Sequence, residues 1–245
     1  MPIYSSQKLS NGNLVRIPYI RTGTEGMDKI PTIIPTTNLK FWFDADATYI
    51  TKDGSNYVSA WADRSGNGNN LSQGSGSYQP LWQASQINGY PALYFNVDGM
   101  NTAAFTFNQP FTIYVVLKGL SGGYYDSVFE GLTGYSYIML NKSGTGYYNM
   151  NAGSNFTTSI PFSYNSYDIA VACFNGSSSF VKENGGTKQT GNPGSNNAGG
   201  FAIGFRGGSY QFVGYIAEII GYDAAHNDSQ VATLQTYLND KYSVY

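Results

Sequence analysis

Four oxygen-bearing residues in two nearby segments are the first place where this sequence could do chemistry. Asp44 and Asp46 sit at i, i+2 in FWFDADA, the spacing that puts two side chains on one face of a strand. Asp63 and Asn67 follow in WADRSGNG. Calcium takes six to eight oxygen ligands, so Asp44, Asp46, Asp63 and Asn67 form the candidate metal set. The competing expectation is structural: Asp, Ser, Gly and Asn close turns through their own backbone, and Arg64 reaches a carboxylate. Glu218, in YIAEIIGYD, has no second carboxylate at i+2 and is expected to be a buried structural acid paired with an arginine such as Arg64 or Arg206. The sole histidine, His226, lies in a polar turn and is expected at the surface, away from any nucleophile. Cys173, the one cysteine, alternates with Ile169 and Val171 in DIAVACF and is expected to be a buried apolar filler. The Gly-rich stretch GSNNAGG lacks the lysine and the strand-to-helix context of a phosphate loop. Among 22 tyrosines, Tyr124, Tyr125, Tyr135, Tyr137, Tyr147 and Tyr148 fall in Gly- and Ser-rich segments where full burial is hard. They form the candidate ligand-binding rim, for sugar stacking or protein contact, against the simpler reading of tyrosines that cover strands.

These residues must be positioned by β-structure. Only 11% of the 245 residues are charged and 41% are hydrophobic, a balance unlike that of coiled coils, charge-rich disordered chains or salt-bridged helical bundles. From Leu39 onward, short runs such as FTIYVVLKG, DIAVACFN and FVGYIAEIIGYD are separated by Gly, Asn and Ser, as expected of a sandwich of many strands. FTIYVVLKG and DIAVACFN are apolar on both faces and predict central, covered strands. FVKENGGTKQTG predicts a hairpin turning at Asn184, Gly185 and Gly186. Near the C-terminus, Val231, Leu234, Leu238 and Tyr242 recur every three or four residues behind a capping-box pair, Asn227 and Gln230, and predict an amphipathic helix packed on the sandwich. Residues 1–38 read as a proline-punctuated arm or linker, with 39–245 as the folded domain.

The net charge of −2 and the lack of a basic run remove the footprint of a nucleic-acid binder. No stretch has the length of a membrane span, and MPIYSSQKLSNGNLVRIPYI lacks the apolar centre of a signal peptide, so the expectation is a cytosolically made protein without membrane insertion. A single cysteine, with no intrachain disulfide, agrees with that.

The segments LKFWFDADATYIT, VSAWADRSGNGNNLSQ, QPLWQASQINGYPALYF, the hairpin around Lys182-Glu183-Asn184-Gly185, and FVGYIAEIIGYDAAHNDSQVATLQTYLNDKY together resemble concanavalin A-like, laminin-G-like jelly-roll domains. Such domains occur in bacterial surface proteins and in bacteriophage structural proteins. The resemblance spans about residues 39–245 and implies an all-β jelly-roll sandwich of two antiparallel sheets, with the C-terminal helix and an extended N-terminal arm beside it. Glycanases of this fold carry Glu-x-Asp-x-x-Glu on one strand, and this chain has no such run. The resemblance therefore implies a non-enzymatic fibre, decoration or tail protein of a phage-type virion, assembled in the host cytoplasm. In that reading residues 1–38 hold other virion proteins, the domain meets a cell-surface glycan, and the chain forms a homo-oligomer, a trimer by preference. No cofactor is expected other than calcium at the four residues above. The alternatives are a free carbohydrate-binding lectin and, behind it, a glycanase or polysaccharide lyase, which needs a carboxylate pair or a Tyr-His base.

Overall fold

The structure, a computed structural model, describes residues 4–8, 14–18, 34–120, 126–133, 136–139, 146–204 and 211–245. The chain divides into two compact units, Met1–Pro35 and Thr36–Tyr245. In the first, β1 (Tyr4–Lys8) and β2 (Leu14–Pro18) pair antiparallel, Tyr4 opposite Pro18 and Lys8 opposite Leu14. The described part of this unit, which falls within the expected N-terminal arm, is this strand pair.

The second unit begins with β3 (Leu39–Asp44), β4 (Ile50–Lys52), β5 (Val58–Trp61), β6 (Leu71–Ser72), β7 (Leu81–Ile87), β8 (Tyr90–Asn96), β9 (Met100–Thr102) and β10 (Phe111–Gly119). It continues through β11 (Ser127–Gly131), β12 (Ser136–Met139), β13 (Tyr147–Ala152), β14 (Asn155–Pro161), β15 (Asp168–Phe174), β16 (Ser179–Glu183), β17 (Gln189–Gly191), β18 (Phe201–Ile203) and β19 (Val213–Tyr222) to the helix α1 (Asp228–Tyr242). Among the described residues these strands make two antiparallel sheets. One has eight strands in the order β17-β16-β15-β10-β19-β8-β7, with β3 also on β19; the other has nine, β14-β13-β12-β11-β18-β9-β6-β5-β4. The expected all-β sandwich with a C-terminal helix is what the chain forms.

Alternation along each strand builds the core. Phe41 and Phe43 of β3, Ile113 and Val115 of β10, and Ile219 of β19 face Trp61, Phe129, Met150 and Phe201 of the opposite sheet. Phe201 lies 4.5 Å from Phe41 and 4.9 Å from Phe129, centroid to centroid, so aromatic contacts bridge the layers. Gly221 is required for this packing, because a Cβ there would fall 2.0 Å from the Phe41 ring.

β10 and β15 are buried on both faces, as their apolar runs predict. Part of the outer face of the eight-stranded sheet lies under α1, whose Val231, Leu234, Leu238 and Tyr242 are buried. The capping box forms as expected: Gln230 N donates to Asn227 Oδ1 and Asn227 N to Gln230 Oε1, each at 3.0 Å. The β16–β17 hairpin turns at Asn184, in the left-handed region at φ 48°. No helix among the described residues is long and apolar enough to cross a membrane.

Candidate functional site

The residues considered for calcium are engaged in internal hydrogen bonds, the three aspartates as acceptors and Asn67 as a donor. Asp44 is buried; its Oδ2 pairs with Lys241 Nζ at 2.8 Å and with Arg64 Nη1, and its Oδ1 accepts from Asp46 N at 3.0 Å. Burial opposes ionisation of Asp44, yet Lys241 and Arg64 hold its carboxyl below the usual carboxylate range. Asp46 caps the 3-10 turn Ala47–Tyr49 by accepting from Thr48 N at 2.9 Å. Asp63 accepts from the backbone of Trp42, Ser65 and Asn69, and Asn67 Nδ2 donates to the carbonyls of Leu39 and Lys40. Among the described residues no group of three or more His, Cys, Asp or Glu is placed to hold a metal ion.

Glu218 is a structural acid, but its cation is not an arginine. Lys241 Nζ lies 2.6 Å from Oε2, and Trp42 Nε1, Tyr237 OH and Tyr242 OH donate to the same carboxylate at 2.7, 2.9 and 2.8 Å. Arg64 instead pairs with Asp44 and lies 3.8 Å above the Trp42 ring. Two carboxylates and two cations make a neutral, fully bonded cluster between β3, β19 and α1. Desolvation pulls the Lys241 ammonium pKa down, and Asp44 and Glu218 more than offset it, holding it well above the usual lysine value. Sequence reading missed Lys241 because it stands at the end of an amphipathic helix, where a lysine is normally solvated.

His226 corrects the expectation of a surface histidine: it is buried, with Nδ1 2.8 Å from the Tyr114 hydroxyl and its ring 4.3 Å from that of Tyr222. The segment after β19 folds back onto the sheet, where Thr112 Oγ1 donates to Ala224 O and accepts from His226 N. Burial lowers the His226 pKa to about 4, so the imidazole is neutral. Cys173 faces Thr112 across the β10–β15 pair, and burial pushes its thiol up, in keeping with an unreactive filler.

Of the six candidate tyrosines, Tyr124, Tyr125 and Tyr135 lie outside the described residues, as does the side chain of Tyr137. Tyr147 is exposed, whereas its neighbour Tyr148 points inward and is fully buried, packed edge-on against Phe162 at 5.5 Å. Tyr148 is therefore a core residue, since alternation along β13 sends the two tyrosines to opposite faces.

Two arrangements appear that the sequence did not reveal. The first is a row across the part of the eight-stranded sheet's outer face next to the helix-covered part. Leu81 of β7 is opposite Tyr94 of β8, Tyr94 is opposite Tyr215 of β19, and Tyr215 is opposite Lys118 of β10. The Tyr94 and Tyr215 rings lie 5.2 Å apart, tilted by 41°. Lys118 Nζ lies 5.3 Å from the Tyr215 centroid and 5.2 Å from that of Tyr167. All of these side chains are partly exposed. The row combines apolar ring faces, hydroxyls and a cation on regular strands, which hold them more rigidly than loops would.

The second is a carboxyl pair on adjacent strands. Asp168 at the start of β15 and Glu183 at the end of β16 are close enough to influence each other's ionisation, and Asn184 Nδ2 donates to Asp168 Oδ1 at 3.3 Å. Burial, with the neighbouring Asp168, pushes Glu183 up to about 8, and burial raises Asp168 as well, so the pair holds a proton at neutral pH.

No protein-family model matches the chain, and no curated protein is similar to it in sequence. Solved structures share its fold. Domain 4 of an extracellular GH43 arabinanase from Geobacillus stearothermophilus, in complex with arabinotriose, matches with a TM-score of 0.61 at 15% identity, covering 81% of this chain and 98% of that domain. A mutant of a GH54 α-L-arabinofuranosidase soaked with 4-nitrophenyl α-L-arabinofuranoside matches with a TM-score of 0.60 at 17% identity, covering 99% of this chain and 60% of that one. Trypanosoma rangeli sialidase matches with a TM-score of 0.58 at 16% identity, over 84% of this chain and 33% of its own. The chain thus spans a third of the sialidase and a whole domain of the arabinanase. The chain therefore shares the β-sandwich fold of these domains. The expectation of a non-enzyme is corrected here, because the neighbours sharing the fold are parts of glycoside hydrolases and none of these three is a phage protein.

Proposed function

We propose that the sandwich is a carbohydrate-recognition domain that binds sugar on the open row of the eight-stranded sheet. The observation that carries this reading is the in-register series Tyr94, Tyr215 and Lys118 beside the ring of Tyr167, where partly exposed rings and an ammonium line up on regular strands. Tyrosine faces suit the apolar C–H faces of a sugar ring, and the hydroxyls orient it. The arabinotriose complex of the fold neighbour supports carbohydrate as the ligand class. Calorimetric titration with a panel of oligosaccharides, using the full chain and its Tyr215→Ala variant, tests the reading; binding that survives the substitution unchanged overturns it.

A second reading, glycoside hydrolysis, draws on the Asp168–Glu183 pair, since a protonated Glu183 is suited to donate a proton to a leaving oxygen. Glycosidases hold their two carboxyls ~5 Å or more apart, and this reading requires that spacing here. Release of nitrophenol from nitrophenyl glycosides, abolished by Glu183→Gln, is the outcome this reading requires. As to assembly, the chain is proposed to form a homo-oligomer, with residues 1–38, which lie outside the jelly-roll resemblance, packing on a neighbouring subunit or a larger assembly. Equal oligomeric states for the full chain and one starting at Thr36, by light scattering, overturn that.

A further inference from the structure

The described cations of this domain fall into two groups, those with a carboxylate partner and those without one, Lys118, Lys52 and Lys182; Lys52 bonds to Asn56 Oδ1 and lies over Trp82, and Lys118 is the one that stands in the open tyrosine row. Lys40 pairs with Asp223, Lys188 with Asp228, Arg64 with Asp44, and Lys241 with both Asp44 and Glu218. Lys118 has no carboxylate partner among the described residues; its ammonium is held by two aromatic faces, Tyr215 at 5.3 Å and Tyr167 at 5.2 Å. An ammonium placed in this way has part of its hydration replaced by rings and its charge unmatched, so it is half of an ion pair fixed before any ligand arrives. Lys118 also stands opposite Tyr215 in the strand register, and neighbouring strands are ~4.8 Å apart. A sugar ring stacked on Tyr94 and Tyr215 therefore sets its edge substituents beside the ammonium.

We propose that the row selects a carboxylated sugar, a uronic acid or another acidic residue of a glycan, whose carboxylate completes the ion pair with Lys118. This rests on the carbohydrate reading of the same surface and adds the charge of the ligand to it. Tyr94 and Tyr215 supply the stacking surface common to neutral and acidic rings, and Lys118 supplies the discrimination. Lysine accepts such a carboxylate as a point charge and demands no bidentate geometry, so the site reads acidity more strictly than sugar identity.

The experiment is calorimetric titration of the full chain with oligosaccharide pairs in which each uronate oligomer, trigalacturonate and trimannuronate among them, is matched by its neutral methyl ester. The expected result is at least tenfold tighter binding of a free acid than of its ester. Lys118→Gln removes the preference, bringing the acid to the affinity of the ester, with an unaltered melting temperature showing that the variant is folded. Equal affinity for acid and ester, or an acid preference that survives Lys118→Gln, overturns the charge inference and leaves the carbohydrate reading standing. Failure of every acid and every neutral sugar to bind overturns both.

Discussion

The outer face of the eight-stranded sheet carries charged and aromatic groups in two regions that use them in opposite ways. Under α1, Trp42, Asp44, Glu218 and Lys241 satisfy one another, and each oxygen of Glu218 accepts two donors. Beyond the helix, on the same strand β19, Tyr215 meets Tyr94 and a lysine that has no carboxylate partner among the described residues. Three positions separate Tyr215 from Glu218. The difference teaches that chemistry on this sheet is to be sought where polar groups are left unspent. The covered region holds more ionisable side chains, yet its groups already have their partners, so it holds the helix.

Breaking the covered region has the largest expected effect. Lys241→Ala leaves Asp44 and Glu218 buried without that cation and is expected to cost about 3–5 kcal/mol in urea unfolding, with sugar affinity unchanged wherever the variant is folded. A parallel loss of stability and of intrinsic affinity contradicts the separation of the two regions. In the open row the pattern reverses: Tyr215→Ala is expected to weaken sugar binding tenfold or more, about 1.4 kcal/mol, while the urea midpoint moves little.

Titration sharpens the contrast, because His226 lies in the covered region and Glu183 outside it. The His226 pKa is depressed to about 4, so its contribution is present above the ordinary value of 6.5 and is lost as pH falls toward 4. That of Glu183 is raised from 4.5 to about 8, so its contribution is complete below 4.5 and is lost as pH rises toward 8. The two slopes oppose each other between 4.5 and 6.5, and stability is expected to fall from 6.5 to 8. The slope should stay below about 1.4 kcal/mol per pH unit, reduced by solvent at half-exposed Glu183. Melting curves of Glu183→Gln that keep the full fall above pH 6.5 would exclude this assignment. The smallest change is expected from Tyr114→Phe, which removes the hydroxyl bonded to His226 and should cost about 1 kcal/mol, without effect on sugar binding.

Much of the fold was legible because it is written locally. The apolar runs of β10 and β15, the capping box of α1 and the Asn184 turn each announce themselves within a dozen residues. The open row was not legible, because Leu81, Tyr94, Lys118 and Tyr215 come from four strands and meet only through register. Tyr147 and Tyr148 drew attention by composition, yet alternation along one strand put one outside and one in the core. His226 looked exposed because its neighbours are polar, but Thr112 and Tyr114, more than a hundred residues away in sequence, bury it. A sequence alone does not tell which distant strand a polar turn will fold back upon.

The position of β19 has a consequence for how the domain comes off the ribosome. One side of β19 pairs with β10, and the other is shared, Val213–Ile216 taken by β8 and Glu218–Tyr222 by β3. The strands at residues 39–44 and 90–96 thus wait for a partner that is synthesised more than a hundred residues later. Hairpins such as β4–β5 and β7–β8 can form while the chain is still growing, but the eight-stranded sheet cannot close until Tyr222 has emerged. Until then its longest apolar strands remain exposed edges, open to wrong pairing with other nascent chains.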